Sequence, residues 1–393
     1  MTRTVLLGDL VDVVKGISYR SADYSDSENG LAFVTLKSVE RGGGYNKNGI
    51  KYYAGELKDS QYVEPGDILI ANTDLTQNRE IIGSPLIMPD IGRKACFSLD
   101  LSKLVIKDEK QLDKDYLFYY LKSPHARDYM ISHSNGSTVM HLSVKSVPKM
   151  PMRLPEISEQ RRIGKVLREI DEKIELNRQM NETLEQMGQA LFRHYFIDNP
   201  EAEGWRKSKL GELTDINRES IGKDYPHDKI QYVDIASVST GSIDKYETIE
   251  LSSAPSRARR IVRDSDIIWA TVRPNRRAYS LVMNPAENMI VSTGFAVMSP
   301  GINALGFVYY YTSLQAFADY LVLHARGAAY PAVTAADFKG VPIKLPDNKA
   351  LELFDELVAP NLQRISELKK EIQILVTLRD TLLPRLISGK VKV

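Results

Sequence analysis

This chain repeats itself, and that restricts its fold more than any other property of the sequence. Leu7-Gly8-Asp9-Leu10 returns as Leu210-Gly211-Glu212-Leu213, and residues 33–39 (FVTLKSV) return 199 positions later as YVDIASV. At the same offset Gly66-Asp67-Ile68-Leu69-Ile70-Ala71 matches Ser265-Asp266-Ile267-Ile268-Trp269-Ala270. The offset then drops to 191, where Tyr129, His133, Gly136, Leu154 and Pro155 match Tyr320, His324, Gly327, Leu345 and Pro346. Single matches of this kind arise by chance among apolar runs. Their common order points to an ancient duplication.

Each half reads as a mixed lobe followed by a long helix. Runs at 32–38 and 67–71, and at 230–237 and 266–271, are β-rich and bounded by Gly, Pro and Asn, as strands are. Segments 115–123 and 307–317 read as short aromatic-rich helices whose tyrosines pack a core. From Ser158 to about Phe196 there is no proline. With Ile163 at heptad position a, the a row is Ile163, Ile170, Asn177, Leu184 and Leu191, and the d row is Val166, Lys173, Met180 and Met187. An a-position Asn fixes register at a cost in stability. The second seam runs Phe354, Val358, Asn361, Ile365, Leu368, Ile372, Leu375, Leu382, Leu386, with Pro360 expected to start its regular part and Pro384 to end or kink it. Length and matched placement favour pairing of the two helices over each lying on its own lobe. The fold class is α+β: two similar mixed lobes joined by two long antiparallel coiled-coil helices, with an internal pseudo-twofold repeat.

Composition narrows the class. With 393 residues, 43% of them hydrophobic, the chain can bury two or three cores. Its 52 basic and 51 acidic residues exclude a uniformly basic, histone-like protein but leave room for local patches. The single cysteine, Cys96, favours a reducing compartment. Asp9 and Asp12 break the apolar N-terminal run, and no stretch approaches the roughly 18 apolar residues of a membrane span. A cytoplasmic protein without membrane partners is expected.

The search for catalytic motifs returns nothing. The sequence has no GxxxxGK[ST], HExxH, GxSxG or CxxC, and His125, His133 and His141 lack zinc-ligand spacing. What it has is arginine. Arg257, Arg259, Arg260, Arg263, Arg273, Arg276 and Arg277 fall within 21 residues that hold only two acids, Asp264 and Asp266. Arginine neutralises phosphates, and its planar fork bonds guanine O6 and N7 together. A solvated, ion-paired face has the same composition. Arg273-Pro274-Asn275-Arg276-Arg277 has turn chemistry and projects from a loop. The matching loop of the first lobe, Asn72-Thr73-Asp74-Leu75-Thr76-Gln77-Asn78-Arg79, is polar instead of basic, and its amides suit adenine N6 and N7. A plain polar turn explains that loop equally well by itself.

The helical motifs resemble the specificity subunit of type I restriction–modification enzymes. Leu154-Pro155-Glu156-Ile157-Ser158-Glu159-Gln160-Arg161-Arg162-Ile163 looks like the proline-led start of that family's first central helix. Gly136-Ser137-Thr138-Val139-Met140-His141-Leu142-Ser143 is similar to the loop that closes a target recognition domain. Ala190-Leu191-Phe192-Arg193-His194-Tyr195-Phe196 is similar to the end of the first helix. Residues 379–389 (RDTLLPRLISG) look like the C-terminal signature. The second helix has Ala350-Leu351 where the first has Glu159-Gln160, a departure from strict equivalence. The resemblance implies target recognition domains at 1–155 and 206–346, helices at 156–197 and 347–393, and a linker at 198–205. It implies a non-catalytic subunit that reads a bipartite site in double-stranded DNA and scaffolds two methyltransferase (modification) subunits together with restriction/translocase subunits. This chain itself would hold no cofactor or metal; S-adenosylmethionine, ATP and Mg would belong to the partners. The expected DNA contacts are Asn72, Thr73, Thr76, Gln77, Asn78, Arg79, Ser137 and Thr138 in the first lobe. In the second they are Arg257, Arg259, Arg260, Arg263, Arg273, Asn275, Arg276, Arg277 and Arg326. The rival readings are a self-contained nucleic-acid enzyme and a coiled-coil assembly protein without a nucleic-acid role.

Overall fold

The computed structural model describes residues 3–25 and 30–392. Ile68–Ala71, buried at every position, is an inner strand of an antiparallel sheet ordered Val11–Lys15, Leu101–Ile106, Ile68–Ala71, Pro85–Ile87. A second sheet is ordered Lys51–Tyr53, Leu31–Val34, Ala95–Phe97, Tyr62–Val63, with its two inner strands parallel. The second lobe repeats both. Thr214–Ile216, Phe295–Pro300, Ile267–Ala270 and Tyr279–Leu281 form the first sheet. Glu247–Glu250, Lys229–Val233, Met289–Ser292 and Ala258–Ile261 form the second, again with a parallel inner pair. Each lobe is closed by its first and last strands, Arg3–Leu6 with Pro151–Leu154 and Arg206–Lys209 with Pro342–Leu345.

The duplication extends to turn chemistry. Before the inner strand, Gly66 and Ser265 both adopt left-handed backbone, φ 88° and 66°. The next residue, Asp67 or Asp266, accepts the N–H of Glu64 or Arg263 at 2.9 and 2.7 Å. A Cβ-bearing residue in this conformation is uncommon. Its retention at Ser265 shows how firmly the turn is fixed by its neighbours. The expected strands at 32–38 and 230–237 are shorter than their sequence runs. Each ends in a single helical turn, Leu36–Ser38 or Ile235–Ser237.

The aromatic segment at 307–317 is not one helix but parts of two, Leu305–Ser313 and Gln315–His324. Leu314 breaks it with φ −66°, ψ 147°, matching Ser123 (φ −66°, ψ 150°) between Lys114–Lys122 and Pro124–Ser132. Pro124 disfavours helical backbone at Ser123; no proline follows Leu314, so the sequence carries no sign of its break. Tyr116, Tyr119, Tyr120, Tyr309 and Tyr310 are buried in their lobes.

The chain divides into two compact units, residues 1–175 with 373–393, and residues 176–372. Each contains one lobe and a stretch of both long helices, the central helix Ile157–Phe192 and the C-terminal helix Asn348–Ile387. In the first unit Asp171 of the central helix pairs with Arg379 of the C-terminal helix at 2.8 Å. In the second, Leu184, Leu191 and Phe192 share a core with Phe354, Val358, Leu362 and Ile365. The helices run antiparallel.

Their seam differs from expectation in one row. Ile163 and Asn177 of the a row are buried and Ile170, Leu184 and Leu191 half-buried, but Met180 and Met187 of the supposed d row are 38% and 50% exposed. The companion row lies one residue later, at Leu167, Ile174, Asn181 and Gly188. Three-then-four and four-then-three spacings share the same period, and Asn181 with Gly188 hides the second choice. Pro360 and Pro384 neither start nor end the C-terminal helix, which runs through both for 40 residues. Each helix also grips its lobe differently. Buried Gln160 accepts the N–H of Asp113 at 2.9 Å and donates to the carbonyls of Gln111 and Pro155 at 3.0 and 2.9 Å. In the second lobe Asp355 accepts the N–H groups of Leu305 and Gly306 at 3.2 and 2.6 Å. A different polar anchor explains why Glu159-Gln160 has no counterpart at Ala350-Leu351. Among the described residues, no helix is long and apolar enough to cross a membrane.

Candidate nucleic-acid interface

In the first lobe, Thr73–Asp74 pairs with Met140–Leu142, which pairs with Ser134–Asn135. The pairing sets the loop after Asp74 beside the turn at Gly136, whose φ of 125° requires glycine. Asp74 is fully buried. Its carboxylate accepts the N–H groups of Thr76, Ile81 and Ile82 at 2.6, 2.7 and 2.7 Å and the Thr76 hydroxyl at 2.7 Å. Burial alone would raise its pKa, but these bonds outweigh it and hold the carboxyl below its ordinary range. The Arg127 guanidinium donates to the carbonyls of Ile82, Glu80 and Arg79, fixing the loop from beneath. Asn72 donates to Leu99 O and Ser102 Oγ at 3.1 and 2.9 Å, and Thr73 to Asp100 at 3.1 Å. Thus Asn72, Thr73 and Thr76 turn their polar groups into the scaffold. The exposed face belongs to Gln77, Asn78, Arg79, Ser137 and Thr138.

In the second lobe, the loop between Ile267–Ala270 and Tyr279–Leu281 lies against residues 326–333. Val272 and Arg326 both bridge to Ala332, and the Arg273 N–H donates to Pro331 O at 2.7 Å. Arg273 and Arg277 are left-handed, φ 52° and 51°, and flank the short turn Pro274–Arg276. The Arg277 side chain folds back to donate to Gln315 Oε1 at 3.0 Å and to the Ser313 carbonyl. Arg273 lies over the Tyr330 ring, 4.7 Å from its centroid. Asn275 and Arg276 are exposed, and Arg326 lies 3.9 Å from Asp337 with its side chain 79% exposed.

The remaining arginines sit on or beside the edge strand Ala258–Ile261 of the other sheet. Arg263 pairs with Glu219 at 2.7 Å, and this hydrogen-bonded guanidinium lowers the Glu219 pKa. Arg260 donates to Ser220 Oγ and Arg259 to Ser256 O, at 3.1 and 3.2 Å. Arg257 alone connects with the loop: its carbonyl accepts from Thr293, and Gly294 O accepts from Thr271, each at 2.8 Å. The structure therefore gathers Arg273, Asn275, Arg276, Arg277 and Arg326 at one place and sets Arg259, Arg260 and Arg263 apart. The neighbouring sequence holds only Asp264 and Asp266 as acids; the counter-ion of Arg263 comes from 44 residues away. Two large exposed side chains on these loops lie outside the expected contacts, Leu75 and Tyr330, 65% and 69% exposed. Their signal was a bulky residue inside a turn, at Asp74-Leu75-Thr76 and Ala329-Tyr330-Pro331. Among the described residues no cluster of His, Cys, Asp and Glu could hold a metal ion.

Two lobes of one topology, each presenting a pair of adjoining loops with different chemistry, define a modular recognition protein. Residues 3–186 match the family described as type I restriction modification DNA specificity domain. The chain is 24% identical over 300 residues to the type I restriction enzyme MjaIX specificity subunit of Methanocaldococcus jannaschii, covering 71% of this chain and 69% of that one. It is 20% identical over 376 residues to the EcoBI specificity subunit of Escherichia coli, covering 87% and 75%. Its fold is that of the S subunit of a type I restriction-modification system from M. genitalium, with a TM-score of 0.63 at 16% identity over 98% of this chain and 96% of that one. The chain is similar in sequence to type I restriction–modification specificity subunits, and over residues 3–186 it matches their DNA specificity domain.

Proposed function

We propose that this chain is the non-catalytic DNA-recognition subunit of a type I restriction–modification complex, reading one half of a bipartite target with each lobe. The observation that carries this is the pairing of one repeated scaffold with two unlike loop surfaces, one with the amides of Gln77 and Asn78 beside a single Arg79, the other arginine-rich at Arg273, Arg276 and Arg326. A scaffold duplicated for packing alone has no need to vary its exposed loops while keeping the turn that precedes them. Residues 1–155 and 206–346 would be the reading domains. The long helices would carry two modification subunits and further restriction subunits, whose S-adenosylmethionine, ATP and Mg perform the chemistry in the cytoplasm. Recognition divides accordingly: charged groups outside the loops contribute sequence-independent affinity, and loop side chains discriminate base edges. The test is to exchange the 271–278 and 325–333 loops together for those of a relative. One half of the methylated motif should change while the other stays.

A further inference from the structure

Resting on that reading, we infer that Arg273 and Tyr330 form one preorganised unit that reads a guanine in the half-site of the second lobe, with Arg273 as the base contact and Tyr330 as its positioning residue. The three arginines of the 271–278 loop are held in three different ways. Arg277 is spent on the Ser313 carbonyl and Gln315, which closes the loop onto the helical layer. Arg276 is exposed. Arg273 alone is held by an aromatic ring, and that ring is itself 69% exposed.

An exposed tyrosine is not there to fill a core. Tyr330 sits among Gly327, Ala328 and Ala329, where nothing else could cover a guanidinium face. The adjoining backbone is fixed as well, because the Arg273 N–H donates to Pro331 O and Arg326 exchanges hydrogen bonds with Ala332. Arg273 also holds a left-handed φ of 52°, a conformation that costs free energy for a residue with a Cβ.

The ring covers the guanidinium carbon from one side, and among the described residues no hydrogen bond or ion pair takes up the Arg273 side-chain N–H groups. A phosphate is satisfied by a point charge as well as by a fork, whereas guanine O6 and N7 are read by two donors side by side. Holding the guanidinium against the ring in the free protein removes part of the ordering cost of binding. The geometry therefore suits a purine edge better than a phosphate.

The test uses the full chain co-produced with the adenine-modification subunit of its own system in a methylation-free host, reading the methylated motif and its occupancy. The second half-site should contain a guanine. Arg273→Ala should relax that one position by roughly 10- to 100-fold. Tyr330→Ala should relax the same position by about 2- to 5-fold, the worth of an exposed cation–π contact, and Tyr330→Phe should restore it. Arg273→Lys keeps the charge and loses the fork. If it preserves discrimination at that position, Arg273 contacts phosphate and the inference is wrong. A second half-site without guanine also overturns it, as does a Tyr330→Ala motif identical to wild type. If instead exchange of the whole second lobe leaves the motif unchanged, the reading of function itself fails, and this inference with it.

Discussion

Asp171 is the residue whose loss the first unit should tolerate least. Its carboxylate accepts from Arg379 at 2.8 Å and from the Tyr119 hydroxyl at 2.9 Å, with the Lys122 ammonium at 3.7 Å. The lobe, the central helix and the C-terminal helix therefore meet on one carboxylate. The Lys122 and Arg379 side chains are only 10% and 19% exposed, so Asp171→Ala strands two cations away from bulk water. Breaking a fully buried pair costs about 3–5 kcal/mol. Asp171 is itself 26% exposed, and water screens part of the loss, which brings the expectation to about 2–3 kcal/mol. A unit of roughly 200 residues moves by about 2–4 °C per kcal/mol, so its melting temperature should fall by roughly 4–12 °C.

The pH dependence has a definite sign. Burial opposes ionisation of Asp171, but Lys122 and Arg379 outweigh it and hold its folded pKa below the unfolded value. The two cations respond differently: burial pushes Lys122 down despite Asp171, while at Arg379 burial acts downward too but is outweighed by Asp171 and Asp380, which push it up. Arg379, with the shorter contact, is the firm partner. A depressed carboxyl contributes its full stabilisation above its unfolded pKa of about 4 and loses it as pH falls through the folded value. Scanning calorimetry of wild type and Asp171→Asn should therefore show a gap at pH 7 that narrows below about pH 4. Equal melting temperatures at pH 7, or a gap unchanged into acid, would refute the reasoning.

Three further outcomes are expected. Gly188→Val should destabilise the second unit, because a Cβ there would collide with the Tyr310 hydroxyl; calorimetry should show the loss, and Gly188→Ala a smaller one. Asp74→Asn gives up a buried acceptor of four hydrogen bonds and should loosen the first lobe's loop, raising amide exchange at Thr76, Ile81 and Ile82 without unfolding the sheets. Arg276→Ala should alter the methylated motif or its occupancy, whereas Arg263→Ala, which removes an ion pair with Glu219 on another sheet, should leave the motif unchanged.

Much of this architecture was legible because a duplication is written along the whole chain. Tyr129 and His133 stack at 4.1 Å, and their sequence partners Tyr320 and His324 at 4.0 Å, with the same 25° between ring planes. The a row of the central helix was legible because Ile163, Ile170 and Leu184 recur every seven residues or a multiple of seven. What escaped depends on tertiary context. The companion row passes through Asn181 and Gly188, residues no hydrophobicity pattern selects. The break at Leu314 has no proline to mark it. Residue type alone could not tell Asn72, which points into the scaffold, from Asn78, which faces outward. Nor could it pair Arg263 with Glu219, since a counter-ion is found by folding and not by proximity in the chain.

The claim that each lobe reads its own half-site is tested most directly by the methylome of one exchange. The chain and its modification subunit are produced in a methylation-free host, and N6-methyladenine is mapped before and after residues 206–346 are replaced by the matching lobe of a relative. The account predicts a bipartite motif in which one half changes and the other remains. An uninterrupted motif, or a folded and active chimera in which both halves change, would contradict it.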